Sequence, residues 1–166
     1  MKWTDLIATE VEYTYGCTQK LMDLVDEDSL GWKPAAGDNW MTTGELLMHI
    51  TDLCGATFKG YITGDWLMPE GADPSEMSDD DTSAQDMLTS VAEAKKLLAA
   101  NKQLALDMLA QAGEERLEND RIPVGLTEEK LGYRLLWMVG HMAQHKGQLF
   151  YYLKLQGKPV DTNHLW

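Results

Sequence analysis

Basic residues are scarce in this chain of 166: 14 Lys and Arg stand against 27 Asp and Glu, for a net charge of −13. Nucleic acid and anionic membrane surfaces both reward basic patches, so neither is an expected partner. Long apolar runs are missing too. No stretch is long enough to span a bilayer, and no N-terminal segment pairs a basic start with an apolar core as a secretory signal does. Cysteine is limited to Cys17 and Cys54, which make neither a CxxC pair nor a disulfide framework. These absences leave a cytoplasmic protein as the expectation. Internal repeats and low-complexity tracts are absent as well. The length fits a single domain, residues 1–166, large enough to bury roughly two-thirds of its unfolded surface.

What the chain does contain is apolar periodicity of the helical kind. Trp3, Ile7, Val11, Thr14, Thr18, Leu21 and Val25 recur at helical spacing and predict a first helix over 4–26, with Thr4 as N-cap. Glu10, Tyr13 and Cys17 fall on its flank; Glu10 reads as part of a solvated edge, and Cys17 as a small buried apolar residue. Residues 26–40 break the pattern with Gly31, Pro34 and Gly37, and Trp32 and Trp40 are expected to plug the end of the core. Thr42 with Glu45 fits a capping box and opens a second helix that runs to about Ile62. Its inward stripe is Leu46, His49, Leu53, Ala56 and Gly60; Cys54 points well away from His49. A long acidic connection follows over 64–82, and its run Asp79, Asp80, Asp81 lacks the spacing and glycine of a calcium loop.

A third helix is predicted from about Ser83 to Ala112, capped by Thr82 with Gln85 or by Ser83 itself, and stopped at Gly113. Met87, Val91, Ala94, Leu98, Ala105 and Met108 form its buried side, which contributes no histidine. The polar run GEERLEND then reads as a link, punctuated by Pro123 and Gly125. A fourth helix is predicted over 127–158. Thr127 is its N-cap, Glu128 and Glu129 suit the positive end of its dipole, and Gly157 with Pro159 stops it. Four helices and one long connection predict an all-α four-helix bundle, because a long link lets the third helix run parallel to the second.

The histidines carry the chemistry. His141 and His145 are four residues apart, so their side chains share one face of the fourth helix. His145 falls inside the stripe of Leu131, Leu135, Met138, Met142, Leu149 and Tyr152, and His141 at its edge. Two readings stand: satisfied core histidines, or metal ligands. His49, centred on a core face of the second helix, favours the second. Three of only four histidines then point inward, His164 being the exception. Three neutral imidazoles leave a fourth position open for water or substrate, and zinc suits them best, with nickel or iron(II) also compatible. The chain has no Glu-x-x-His motif of the di-iron type and no H-E-x-x-H motif.

These residues, His49 in LLMHITDL together with HMAQHKGQLFYYLKLQGKP, resemble the DinB-like (YfiT-like) family of small metal-binding four-helix bundles. The last block is similar to that family's H-x-x-x-H-[KR]-G-Q pattern followed by an aromatic-leucine run and Gly-x-Pro. The resemblance implies an up-down-down-up bundle, a metal site on His49, His141 and His145, and frequently a homodimer. It also implies thiol-dependent S-transfer onto a small electrophile as the leading activity, with a low-molecular-weight thiol as cosubstrate. A coordinated thiol loses its proton near neutral pH and becomes the nucleophile. Metal-assisted hydrolysis and a non-enzymatic, dimeric metal-binding stress or interaction module are the alternatives. Asp52 and Glu45 are candidate partners for the free ring nitrogen of His49, and Gln148 is a candidate to orient a ligand. Leu136, Trp137, Val139, Phe150, Tyr151 and Leu155 extend apolar surface on the fourth helix beyond the histidine stripe; some of it suits packing against the flanking helices and, with the resemblance added, the remainder suits a dimer interface.

Overall fold

A computed structural model describes residues 2–66, 87–124 and 127–166. Its helices are α1 (Trp3–Met22), α2 (Thr43–Asp52), α3 (Cys54–Thr63), α4 (Val91–Asn119) and α5 (Leu131–Leu155). Two short strands, β1 (Arg121–Val124) and β2 (Thr127–Lys130), precede α5. Single 3-10 turns sit at Glu27–Ser29 and Thr162–His164.

Side-chain contacts give the direction of each arm. Glu12 pairs with Lys102 and Asp23 with Lys95, so α1 and α4 run antiparallel. Gly55 meets Asn101, and the Ile62 carbonyl accepts from Arg116, so α3 and α4 run the same way. The His49–His145 and Tyr61–Arg134 pairs make α5 antiparallel to α2 and α3. The order is therefore up-down-down-up, with α3 and α4 running parallel. Of the predicted acidic connection 64–82, residues 67–82 with Asp79, Asp80 and Asp81 lie outside the described residues, as do the caps Thr82, Ser83 and Gln85.

The predicted stripes are the core. Ile7, Val11, Leu21, Leu46, Leu135 and Met142 are fully buried, as are Ala94 and Ala105 of α4. The helix boundaries differ more. α4 opens at Val91, with the Ser90 hydroxyl accepting from the Glu93 amide; Met87, predicted inside this helix and buried, lies before it and is exposed. α5 opens at Leu131 rather than Thr127. Thr127 to Lys130 instead pair with Arg121 to Val124 as a hairpin, and the Thr127 hydroxyl donates to the Val124 carbonyl rather than capping a helix. α1 ends at Met22, and Thr4 is not its cap: the Thr4 hydroxyl and amide both donate to Glu114.

The polar run after Gly113 is the larger correction. Gly113 takes φ 67°, a conformation that costs glycine little, and bends α4 there. Residues 114–119 resume as helix, and Glu114, Arg116 and Glu118 are engaged. The Glu114 carboxylate accepts from the Trp3 and Thr4 amides at 2.9 and 3.0 Å, closing the open N-terminus of α1. These hydrogen bonds hold its pKa below the usual carboxylate range. Glu118 accepts from the Trp3 indole and pairs with Lys130. A matching cap closes the other end, where Glu27 accepts from the Val91 amide at the start of α4.

The predicted second helix is two helices. The break falls at Leu53 (φ −65°, ψ −72°), and the Gly55 amide donates 2.9 Å to Asn101 Oδ1, which also accepts from the buried Tyr15 hydroxyl. Asn101 thus supplies from α4 the acceptor that the broken ladder lacks. The approach needs glycine: a Cβ on Gly55 would stand 2.5 Å from the Asn101 carbonyl oxygen, which is backbone and cannot swing aside. Gly55→Ala is expected to lower the unfolding free energy by about 1–3 kcal/mol, the usual range for overpacking, read as a lower denaturant midpoint at unchanged slope.

Candidate metal centre

His49 sits late in α2, a helix started by the capping box the sequence predicts: the Thr42 hydroxyl accepts from the Glu45 amide, and Glu45 accepts from the Thr42 amide. That box fixes the rotation of α2, and with it the direction of His49, which is 7% exposed. α5 supplies His141 and His145, both half-buried, one turn apart on the face opposed to α2. The three rings converge through Nε2. His145 Nε2 lies 3.1 Å from that of His49 and 2.8 Å from that of His141. The three ligand atoms all lie within 4.8 Å of one another, and among the described residues no carboxylate or thiol joins the cluster.

The hydrogen bonds around His145 determine which nitrogen keeps its proton. The Met41 carbonyl can only accept, so the Tyr152 hydroxyl donates to it, at 2.9 Å. Burial raises the Tyr152 pKa, which keeps that proton in place. With its hydrogen committed, the Tyr152 oxygen accepts from the Gln148 amide nitrogen at 3.4 Å. The other end of that amide, Oε1, therefore faces His145 Nδ1 at 3.0 Å and takes its proton. His145 Nε2 is left with a lone pair aimed at the two neighbouring rings. A ligand imidazole needs this tautomer, and an acceptor on the far nitrogen is how metal sites impose it.

The donor set fits a divalent ion. Three neutral nitrogens crowding one point repel through their lone pairs unless a proton or cation lies between them. Tetrahedral zinc, with Zn–N bonds of about 2.05 Å, spaces its nitrogens about 3.3 Å apart; two separations here are 3.1 and 2.8 Å, and all three lie within 4.8 Å. His141 is braced differently. Its Nδ1 is buried without a hydrogen-bond partner, and its ring leans on Trp137 at 5.6 Å between centroids.

The remaining candidates separate cleanly. Gln148 belongs to the centre through His145. Glu45 accepts from the Thr42 amide in the α2 cap, and Asp52 is exposed at the end of α2. Cys54 is fully buried, with its sulfur near the Met138 carbonyl and the Met142 sulfur, and burial pushes its thiol up to about 12. Cys17 is buried as expected. Trp32 packs edge-on against Tyr152 at 5.3 Å and closes that end of the core, whereas Trp40 stays exposed. Tyr152 escaped the sequence reading as a functional residue; it was visible there only as one more member of the apolar stripe.

A bundle whose second and fourth arms converge three imidazoles in its core defines a class, the small helical proteins with an ion-competent centre between helices. A family model described as the DinB superfamily matches residues 10–149, and the chain belongs to that superfamily. It is also similar in fold to the crystal structure of a DinB-like protein, YjoA, from Bacillus subtilis. That match has a TM-score of 0.66 and 20% identity, and covers 93% of this chain and 94% of the other. No functionally curated protein matches the chain. Among the described residues no helix is long and apolar enough to cross a membrane.

Proposed function

We propose that His49, His141 and His145 hold a divalent metal, zinc by ligand type, and that the protein transfers a small thiol onto an electrophilic small molecule. The observation that carries this reading is the all-imidazole donor set. Neutral ligands leave the ion its full charge, and an ion so held lowers the pKa of a coordinated thiol enough to supply thiolate near neutral pH. The chain's own residues do the positioning. Gln148 and Tyr152 lock His145 in the ligand tautomer, the capped α2 fixes His49, and Trp137 backs His141. Three protein donors leave one position for the substrate. Hydrolysis at the same position is served by a general base, and the carboxylates on α2 are the capping Glu45 and the exposed Asp52, which favours thiol transfer. Phe150 and Val139, expected in the apolar surface of this helix, are buried in the core, and the exposed Tyr133, Trp137, Tyr151 and Leu155 line one side of α5 and are the surface we assign to a second copy of the chain.

Cobalt(II) makes the reading visible. Protein loaded with cobalt is expected to show tetrahedral absorption, and 2-mercaptoethanol to add a saturable thiolate-to-cobalt band. Cobalt binding without any thiol band would favour a metal scaffold instead, and failure to load cobalt, zinc, nickel or iron would remove the metal centre altogether.

A further inference from the structure

The face of α5 that carries the histidines also carries Arg134. It lies seven residues before His141, two turns away and within about 20° around the helix. Its guanidinium is held flat. The central carbon stands 4.5 Å from the Trp137 ring centre and 5.5 Å from that of Tyr61, and Nε donates to the Tyr61 hydroxyl at 2.8 Å. That bond uses the inner edge of the group and leaves the two terminal nitrogens, the pair whose geometry matches a carboxylate end-on. Among the described residues neither makes a hydrogen bond or ion pair. Lys59, Lys95, Lys102, Arg116, Lys130 and Lys158 each have a carboxylate partner, whereas Arg134 is held by two aromatic rings.

Trp137 connects Arg134 to the centre, because its ring lies 4.5 Å from the guanidinium carbon and 5.6 Å, between centroids, from His141. Seven residues of helix rise span about 10 Å, a separation that one small molecule bridges. The surrounding negative charge repels an anion from most of the surface, so an anionic substrate requires a local cation to enter here.

We propose that Arg134 receives the carboxylate of an anionic small-molecule thiol whose sulfur occupies the open position at the three histidines. This rests on the thiol-transfer reading above and narrows its substrate to a carboxylate-bearing thiol. Trp137 and Tyr61 orient the guanidinium, and Arg134 selects by charge without entering the chemistry.

Two thiols of equal length separate the possibilities: 6-mercaptohexanoate, which carries a carboxylate, and 6-mercaptohexanol, which does not. Both are titrated into the cobalt-loaded protein, and the thiolate-to-cobalt band is followed. The carboxylate is expected to bind about tenfold more tightly, the scale of one charge-assisted contact at a half-exposed site. The preference shrinks with added salt. Arg134→Gln is expected to erase it while leaving affinity for the alcohol intact, and Arg134→Lys to keep part of it. Equal binding of the two thiols by the unmodified protein would overturn the inference while leaving thiol transfer standing. An equal loss of both thiols in Arg134→Gln, with the cobalt spectrum retained, would reduce Arg134 to a structural stack and overturn it as well. A protein that binds cobalt but neither thiol would refute the underlying reading instead.

Discussion

His145→Ala is expected to lower zinc affinity more than a hundredfold while the helical bundle persists. Protein sites contribute on the order of 10 kcal/mol to zinc binding at neutral pH, so losing one of three protein donors removes about 3 kcal/mol, two powers of ten. The His145 lone pair faces both other rings, which makes its removal more damaging than the loss of a peripheral ligand. The fold should tolerate the change, because alanine is the best helix former and the ring is only half-buried. The signature is a split between two measurements. Thermal unfolding of the metal-free variant should match that of the metal-free parent, whereas added zinc should raise the transition of the parent alone. Equal stabilisation of both by zinc would show that the ion binds elsewhere.

The second large effect lies one bond further out. Gln148→Leu should weaken metal binding about 10- to 100-fold, the usual cost of removing the group that orients a ligand histidine. Gln148→Glu should not, since a carboxylate still accepts the His145 Nδ1 proton and makes the ring a better donor. A packing role for Gln148 predicts the opposite order, because leucine fills the space and glutamate adds charge. Competition with a chromogenic zinc chelator decides between them. Nitrogen chemical shifts of the His145 ring report the tautomer directly, and Tyr152→Phe should loosen it by releasing the far end of the amide.

The histidines were legible because each lies in a regular helix, where spacing alone determines the face. His141 and His145 share a side by arithmetic, and the capping box of Thr42 and Glu45 is a local pattern that holds in the structure. What escaped depends on residues far apart in the chain. The break at Leu53 is stabilised by Asn101, whose side chain accepts the Gly55 amide from another helix; nothing within residues 42–62 announces it. GEERLEND reads as a solvated link because its residues are charged, yet Glu114 and Glu118 find their partners at Trp3 and Thr4, more than a hundred positions earlier. Thr127 looks like an N-cap by type, and only the pairing of β1 with β2 reveals that it continues a strand. Arg134 carries no motif, and its interest comes entirely from the two rings that hold it.

The two carboxylate caps, Glu114 on the start of α1 and Glu27 on the start of α4, also impose a schedule on protein synthesis. Glu27 waits for the Val91 amide, and the amides of Trp3 and Thr4 wait for Glu114. During translation α1 leaves the ribosome early, with its apolar face bare and its first amides unpaired, until most of the chain has followed. Contacts of such sequence separation are slow to form, and exposed apolar surface is a target for aggregation in the interval. The nascent first helix is therefore the segment on which a chaperone would have the most to do.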